Sequence, residues 1–348
     1  MNPEERIISW LKGNKKGPFS LEIRPTGRCN LACLSCVKHA SFYEKESKKI
    51  KGEISKQKYL ELINDASKLS VRKILISGGG EPFLRKDILD IIKEIKKNNM
   101  EGEIITNGTL IHKNLAEKLV KLSWDKLIIS LDAPNKKAND YLRTKSFDSV
   151  IKNIKNINNF KKKYKSSQPE ITIAAVLSKK NYNLLFKMLK LSNELGAKFR
   201  LQELIIWSKK GDLLRLSKEK RKEFDSQIPK LIEYAKELKI ETNLKDFLES
   251  ETGTEQGKKE EKEFLCFAPF YDLSISEEGN ARFCQMSPPT SENIRDKSLG
   301  EIWFGMKMED FRQKMLKKEY PDFCTNCCSP RIFDMKNINE SVQKKLNK

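Results

Sequence analysis

Eight cysteines stand in two groups along this 348-residue sequence, and their grouping indicates the chemistry they could do. Cys29, Cys33 and Cys36 fall within eight residues as Cys-x3-Cys-x2-Cys, and Cys266, Cys284, Cys324, Cys327 and Cys328 lie near the end. The opening residues, MNPEERIISWLK, contain no export-like apolar stretch, so the thiols are expected in a reducing, cytoplasmic setting that favours metal binding or catalysis over disulfides. Three thiolates are the informative number. An iron–sulfur cluster held by four cysteines is coordinatively closed, whereas three leave one iron open to a ligand, as a catalytic zinc keeps an open position. A zinc site would need a fourth ligand nearby, and His39 is the candidate.

Other residues suited to chemistry follow short apolar runs. Ser77-Gly78-Gly79-Gly80-Glu81-Pro82 offers backbone that can approach a ligand closely, because glycine carries no Cβ. Thr106-Asn107-Gly108, Ser130-Leu131-Asp132, Arg143 and Glu203 are further polar groups at or just beyond strand ends. Glu203 reads as a substrate-facing carboxylate or half of an ion pair. The two histidines, His39 and His112, offer little acid–base capacity; His112 precedes a helical pattern and reads as a surface residue.

The elements that must position these residues alternate between short apolar runs and amphipathic stretches, the pattern of repeated βα units around a parallel sheet. Strands are expected at 20–24, 73–77, 103–106, 126–131, 171–177 and 198–203. Helices are expected at 55–69, 86–98, 114–122, 147–163, 182–195 and 217–238, with Ser55 and Ser217 as N-caps. Six units fall short of the eight that close a barrel. The fold class is therefore α/β, a six-unit (β/α)6 partial TIM-like barrel with its site at the C-terminal ends of the strands, followed by a small C-terminal α+β domain. The expected boundaries are an extension at 1–19, the barrel at 20–215, a bridging helix and linker at 216–263, the second domain at 264–332 and a polar tail at 333–348. Within the second domain a hairpin is expected around 277–280 and one helix over 299–316; Glu249–Glu263 reads as a linker.

Lys and Arg outnumber Asp and Glu by 68 to 48. A net charge of +20 raises nucleic acid or an anionic membrane as a partner, but the excess is mostly Lys spread over helical faces, as a solvated surface would carry it. Residues 45–51 and 161–165 are the local basic candidates. No stretch approaches the roughly 18 apolar residues of a membrane span.

With these motifs in place, CNLACLSC after the first strand and SGGGEP after the second, residues 20 to 205 resemble the radical S-adenosylmethionine (SAM) superfamily. The sequence departs from the family at Ser35, where an aromatic residue is usual; this removes a ring beside the adenine but keeps the backbone carbonyl. The resemblance implies a [4Fe–4S] cluster on Cys29, Cys33 and Cys36, SAM on its open iron, the methionyl amine held by Gly78, Gly79, Gly80 and Glu81, Ser130 and Asp132 facing the SAM ribose or the substrate, and Arg143 pairing with the SAM carboxylate. The C-terminal cysteines, with Gly279 between Cys266 and Cys284, resemble the SPASM or Twitch auxiliary domain. That implies one auxiliary [4Fe–4S] cluster on Cys266, Cys284, Cys324 and Cys327; Cys328 is left as a substitute ligand, a substrate-facing thiol or a buried residue, and a zinc ribbon is the competing site.

The resemblance implies reductive cleavage of SAM, hydrogen-atom abstraction, and oxidation or crosslinking of a peptide or small molecule. It also implies a one-electron donor such as flavodoxin or ferredoxin. About 19 residues precede the first strand, too few for a peptide-binding winged helix, which tilts the expectation away from leader-dependent peptides. The competing class is a metal-dependent nucleic-acid-binding or zinc-ribbon module without SAM chemistry, which has no use for the glycine loop.

Overall fold

A computed structural model describes residues 2–36, 38–40, 52–205, 211–249, 265–285, 287–326 and 329–346. Cys327, Cys328, the basic stretch 45–51 and residues 250–263 of the expected linker lie outside the described residues. The strands in chain order are β1 (Ser20–Ile23), β2 (Lys73–Ile76), β3 (Glu101–Thr106), β4 (Lys126–Ser130), β5 (Glu170–Val176), β6 (Lys198–Gln202), β7 (Asp272–Ile275) and β8 (Ala281–Arg282). The first helices are α1 (Pro3–Leu11), α2 (Lys56–Lys68), α3 (Ile88–Lys97), α4 (Lys113–Lys121), α5 (Lys136–Arg143), α6 (Phe147–Lys163), α7 (Leu185–Glu194) and α8 (Lys218–Glu237). They are followed by α9 (Asp246–Glu249), α10 (Ala268–Tyr271), α11 (Leu299–Trp303), α12 (Met306–Leu316) and α13 (Ser329–Leu346).

The chain packs as two compact units, one of Met1–Gly27, Ile50–Gly102 and Gln256–Lys348, the other of Arg28–Lys49 and Glu103–Glu255. In the first, strand order is β2-β1-β7-β8, with β1 parallel to both β2 and β7 and β8 antiparallel to β7. In the second, β3, β4, β5 and β6 pair in sequence order, all parallel. Neither β6 nor β8 has a further strand neighbour among the described residues, so the parallel sheet is unclosed. The six expected βα strands are all present.

Local chemistry explains the elements. Parallel strands are covered on both faces and need near-continuous apolar runs, which KILI of β2 and EITIAAV of β5 supply. Ile88, Ile91, Ile92 and Ile95 recur at helical spacing on α3 and are all buried, each worth roughly 1.5–3 kcal/mol when taken from water. Ser55 and Ser217 accept from Lys58 N and Lys220 N, so both expected caps form.

Three expectations need correction. The single helix over 299–316 is two, because the first ends at the Phe304 C-cap and Gly305 opens α12 as its N-cap. The stretch read as a polar tail belongs to α13, whose Met335 and Val342 are buried and which packs against α1. The expected hairpin exists, turning at Gly279 (φ +92°) where an added Cβ would lie 2.7 Å from Asn293 Oδ1, but its first strand also joins β1 in parallel.

One charged side chain organises the first unit away from the strand ends. Arg312 is fully buried between the Trp10 and Trp303 rings, 4.1 and 4.3 Å from their centroids, and donates to Pro269 O (2.9 Å) and Trp303 O (3.0 Å). It thereby ties α1, α10, α11 and α12 together. Arg312→Leu strands two buried carbonyls and removes both ring contacts; urea unfolding is expected to show a loss of about 3 kcal/mol or more.

Candidate functional site

In the second unit the loop after β1 carries Cys29, Cys33 and Cys36. Its conformation is fixed by Cys36 N donating to Cys33 O (3.1 Å), Ala40 N to Cys36 O (3.3 Å) and Leu34 N to Leu142 O on α5 (2.9 Å). Leu31 N points at Cys29 Sγ (3.5 Å) and His39 N at Cys36 Sγ (3.3 Å), so two sulfurs already receive backbone N–H groups. Cys33 is buried, and burial pushes its thiol up to about 11; Arg143 acts against that shift, and Asp132, Cys36 and Cys29 add to it. The three cysteines are neighbours in one loop, yet among the described residues no group of three or more His, Cys, Asp and Glu stands at metal-binding spacing.

Asp132 and Arg143 meet beside Cys33. Asp132 Oδ2 accepts from Arg143 Nη1 (2.9 Å), its Oδ1 from Val176 N (2.8 Å), its carbonyl from Asn181 Nδ2 (2.7 Å), and its own N–H donates to Asn139 Oδ1 (3.0 Å). With both carboxylate oxygens and both backbone groups committed, the residue has one position. Burial works against the Arg143 charge, but Asp132 and the Cys33 sulfur more than restore it, and its pKa stands above the ordinary value. Arg143 Nε is buried without a hydrogen-bond partner among the described residues. Arg143 thus sits by the cysteine loop, paired with a side chain the motif reading had placed independently. Ser130 is half-buried at the end of β4. Glu203 is ion-paired with Arg221 (2.8 Å), which also holds Asp225 (2.8 Å), so the ion-pair reading of Glu203 describes it.

In the first unit, Ser77–Pro82 leaves β2 as expected. A Cβ on Gly78 would lie 1.9 Å from Gly80 O, so only glycine permits this turn. Glu81, 2% exposed, caps the following short helix by accepting from Phe83 N (3.2 Å). The exit of β1 is clamped from behind, with Tyr59 Oη donating to Arg24 O and Arg85 Nη1 to Pro25 O, both at 2.9 Å.

Sequence reasoning missed a polar row across three strands of this unit. Glu22, Ser274 and Arg282 are direct register neighbours on β1, β7 and β8, while Leu21, Ile23, Leu273 and Ile275 pack into the core. Glu22 accepts from Ser77 Oγ and from Arg24 Nε (3.3 Å), and Arg24 Nη2 donates to Gln285 O (3.2 Å). Glu22 Oε2, Ser274 Oγ and Arg282 Nε are buried with no hydrogen-bond partner among the described residues. Burial and the Arg24 charge push the Arg282 guanidinium down to about 10. The visible signal was a charged pair, Glu22 within β1 and Arg24 just after it. Cys284 lies two residues beyond Arg282. Burial and the charges of Cys266 and Cys324 push the Tyr320 phenol up to about 12, against a backbone hydrogen bond at Cys266. The six described cysteines form no disulfide.

Comparison with known proteins matches this arrangement. The Radical SAM superfamily profile fits residues 23–168 and the SPASM iron-sulfur cluster-binding domain fits residues 266–328. The chain thus carries a radical SAM domain followed by a C-terminal SPASM domain. Those domains bring a [4Fe–4S] cluster with SAM and an auxiliary iron–sulfur cluster.

The chain is 27% identical over 205 residues to the mycofactocin maturase MftC of Mycolicibacterium smegmatis, covering 59% of this chain and 49% of that one. It is 26% identical over 320 residues to the tungsten-containing aldehyde ferredoxin oxidoreductase cofactor-modifying protein of Pyrococcus furiosus, covering 88% and 86%. The chain thus spans about half the length of the maturases it matches. Among solved structures, Streptococcus suis SuiB bound to its precursor peptide SuiA superposes with a TM-score of 0.68 at 18% identity, covering 88% of this chain and 70% of that one, which shows a shared fold. Among the described residues no helix is long and apolar enough to cross a membrane.

Glu22 yields a pH prediction. Burial opposes its ionisation, but Arg24 with the nearby Ser77 and Ser274 hydroxyls outweighs burial, and the pKa is lowered. A lowered carboxylate pKa adds stability above the unfolded value of about 4.3 and loses it as pH falls through the folded value. Glu22→Gln is expected to cost about 2 kcal/mol at pH 7, and the gap to the parent chain closes as pH drops below about 4, read by urea unfolding across pH.

Proposed function

We propose that the chain is a radical SAM oxidoreductase that acts on a peptide, oxidising or crosslinking it with help from the auxiliary cluster. The carrying observation is the three-cysteine loop after β1, with Cys33 buried and the fixed Asp132–Arg143 pair in the same unit. When bound, the reduced cluster supplies an electron that splits the carbon–sulfur bond of SAM into methionine and a 5′-deoxyadenosyl radical, which takes a hydrogen atom from the substrate.

The residues fit those groups. Cys29, Cys33 and Cys36 would hold three irons and leave the fourth for the SAM amine and carboxylate. Gly78, Gly79, Gly80 and Glu81 offer carbonyls and a buried carboxylate to the amine, and the unpaired Arg143 Nε offers a donor to the SAM carboxylate while Asp132 holds the guanidinium. Ser130 would face the ribose. Cys266, Cys284, Cys324 and Cys327 would hold an auxiliary [4Fe–4S] cluster, and the polar row of Glu22, Ser274 and Arg282 would orient substrate near Cys284.

The peptide assignment rests on the relatives named as a maturase and as a partner of a precursor peptide. It reverses the tilt that the short stretch before β1 had suggested. A one-electron carrier such as flavodoxin or ferredoxin would supply the reductant, and a thiol-rich, oxygen-sensitive site belongs in the cytoplasm.

Anaerobic reconstitution followed by SAM and dithionite tests the reading. The parent chain is expected to bind about eight irons on the two-cluster assumption and to form 5′-deoxyadenosine. The Cys29/Cys33/Cys36→Ala variant should keep about half of the iron and form none. Zinc without iron, or undiminished cleavage in the variant, would sink the proposal.

A further inference from the structure

Two N–H donors meet the Cys29 sulfur, Leu31 N at 3.5 Å and Asn107 Nδ2 at 3.9 Å, the long end of an N–H···S contact. Asn107 follows β3, is 7% exposed, and belongs to a closed ring of side chains. Its Nδ2 donates to Asn30 Oδ1 (2.9 Å), Asn30 Nδ2 donates to Thr109 Oγ1 (2.9 Å), and Thr109 Oγ1 donates back to Asn107 Oδ1 (2.6 Å). Thr109 N also donates to Asn107 Oδ1 (2.9 Å). Two donors on the oxygen settle which end of the amide is which, so the NH2 must face Asn30 and the sulfur.

The turn that carries the ring is pinned as well. Gly108 N donates to Thr106 Oγ1 (3.0 Å), and the buried Asn153 of α6 donates to both Gly108 O (2.9 Å) and Thr109 O (3.0 Å). A buried amide with every competing orientation closed off is more than a strand-end polar group.

We infer that Asn107 is a positioning residue for electron transfer: its N–H group at the Cys29 sulfur raises the reduction potential of the cluster, and Asn30 and Thr109 hold it in that orientation. Reduction adds negative charge that spreads onto the cysteine sulfurs, and an N–H donor there stabilises the reduced form more than the oxidised one. This rests on the assignment of a cluster to Cys29, Cys33 and Cys36.

The test is an anaerobic redox titration of the reconstituted full chain, with and without SAM, followed by electron paramagnetic resonance so that the SAM-perturbed signal is separated from the auxiliary one. Asn107→Leu, similar in size but without donors, is expected to keep its iron content while the reduced-to-oxidised ratio at the parent midpoint falls about tenfold, or roughly 59 mV for one electron. The auxiliary signal should not move. Thr109→Val leaves Asn107 in place but removes one of the two donors to its oxygen and the acceptor of Asn30, and should shift the same signal in the same direction by less; if Asn107→Leu fails to hold a cluster, this variant decides. An unchanged midpoint in an iron-replete Asn107→Leu chain, or in Thr109→Val where that chain is the deciding one, overturns the inference alone. Absence of any SAM-perturbed signal in the parent chain overturns the functional reading with it.

Discussion

A buried thiol holds negative charge at neutral pH only if a positive charge replaces its proton, and the second unit is organised around that constraint at Cys33. The loop cannot relax away from it, because Leu34 is bonded to the end of α5 and the next carbonyls are taken by Cys36 and Ala40. Asp132 cannot either, since β5, α5 and Asn181 each claim one of its groups. Arg143 therefore arrives at the cysteine loop as a charge already compensated, with one donor to spare. A lone guanidinium would cost several kcal/mol to bury there, and a lone carboxylate would hold the thiol proton more tightly still.

The first unit meets a related problem differently. Its polar row places Glu22, Ser274 and Arg282 side by side across β1, β7 and β8, on strands whose Leu21, Ile23, Leu273 and Ile275 are fully buried. Burying a carboxylate and an arginine is tolerable because Arg24 and Ser77 reach Glu22, yet three atoms of the row remain without partners. Such atoms are costly in a finished core, each worth about 1–3 kcal/mol when unsatisfied. Three of the buried atoms without a hydrogen-bond partner among the described residues thus fall in one row, Arg282 two residues before Cys284.

Much of this was legible in the sequence, and what was not has identifiable causes. The six βα strands and their helices declared themselves because each is a local pattern, an apolar run or a 3.6-residue stripe, and the Ser55 and Ser217 caps are local chemistry too. The parallel pairing of β7 with β1 was invisible because it joins Ser20–Ile23 to Asp272–Ile275, and no local signal encodes a partner so distant. The 299–316 helix was read as one because its apolar spacing continues through Phe304, whereas Gly305 interrupts it. The polar stretch at the end was read as a tail because its few apolar residues look insufficient alone; packing on α1 supplies what composition lacks. Asp132 and Arg143 were found as motif residues, but their bond to each other depends on where α5 ends and could not be counted from spacing.

The basic surface bears on the competing class of function. Many described lysines are spoken for by acidic neighbours one helical turn away, as in Lys68–Asp65, Lys97–Glu94, Lys121–Glu117 and Lys314–Asp310. Exposed pairs of this kind contribute only about 0.3–0.5 kcal/mol each, so they are a feature of solvated helix faces more than of fold stability. Within 161–165, Lys161 is drawn to Pro169 O and Lys163 lies over the Phe160 and Tyr164 rings. Lysines folded back onto their own helix make a poor phosphate-binding face. A nucleic-acid binder would draw its affinity from exposed charges free to meet phosphates; the polar side-chain atoms left without hydrogen-bond partners among the described residues are buried instead, Arg143 Nε in the second unit and Glu22 Oε2 and Arg282 Nε in the first among them.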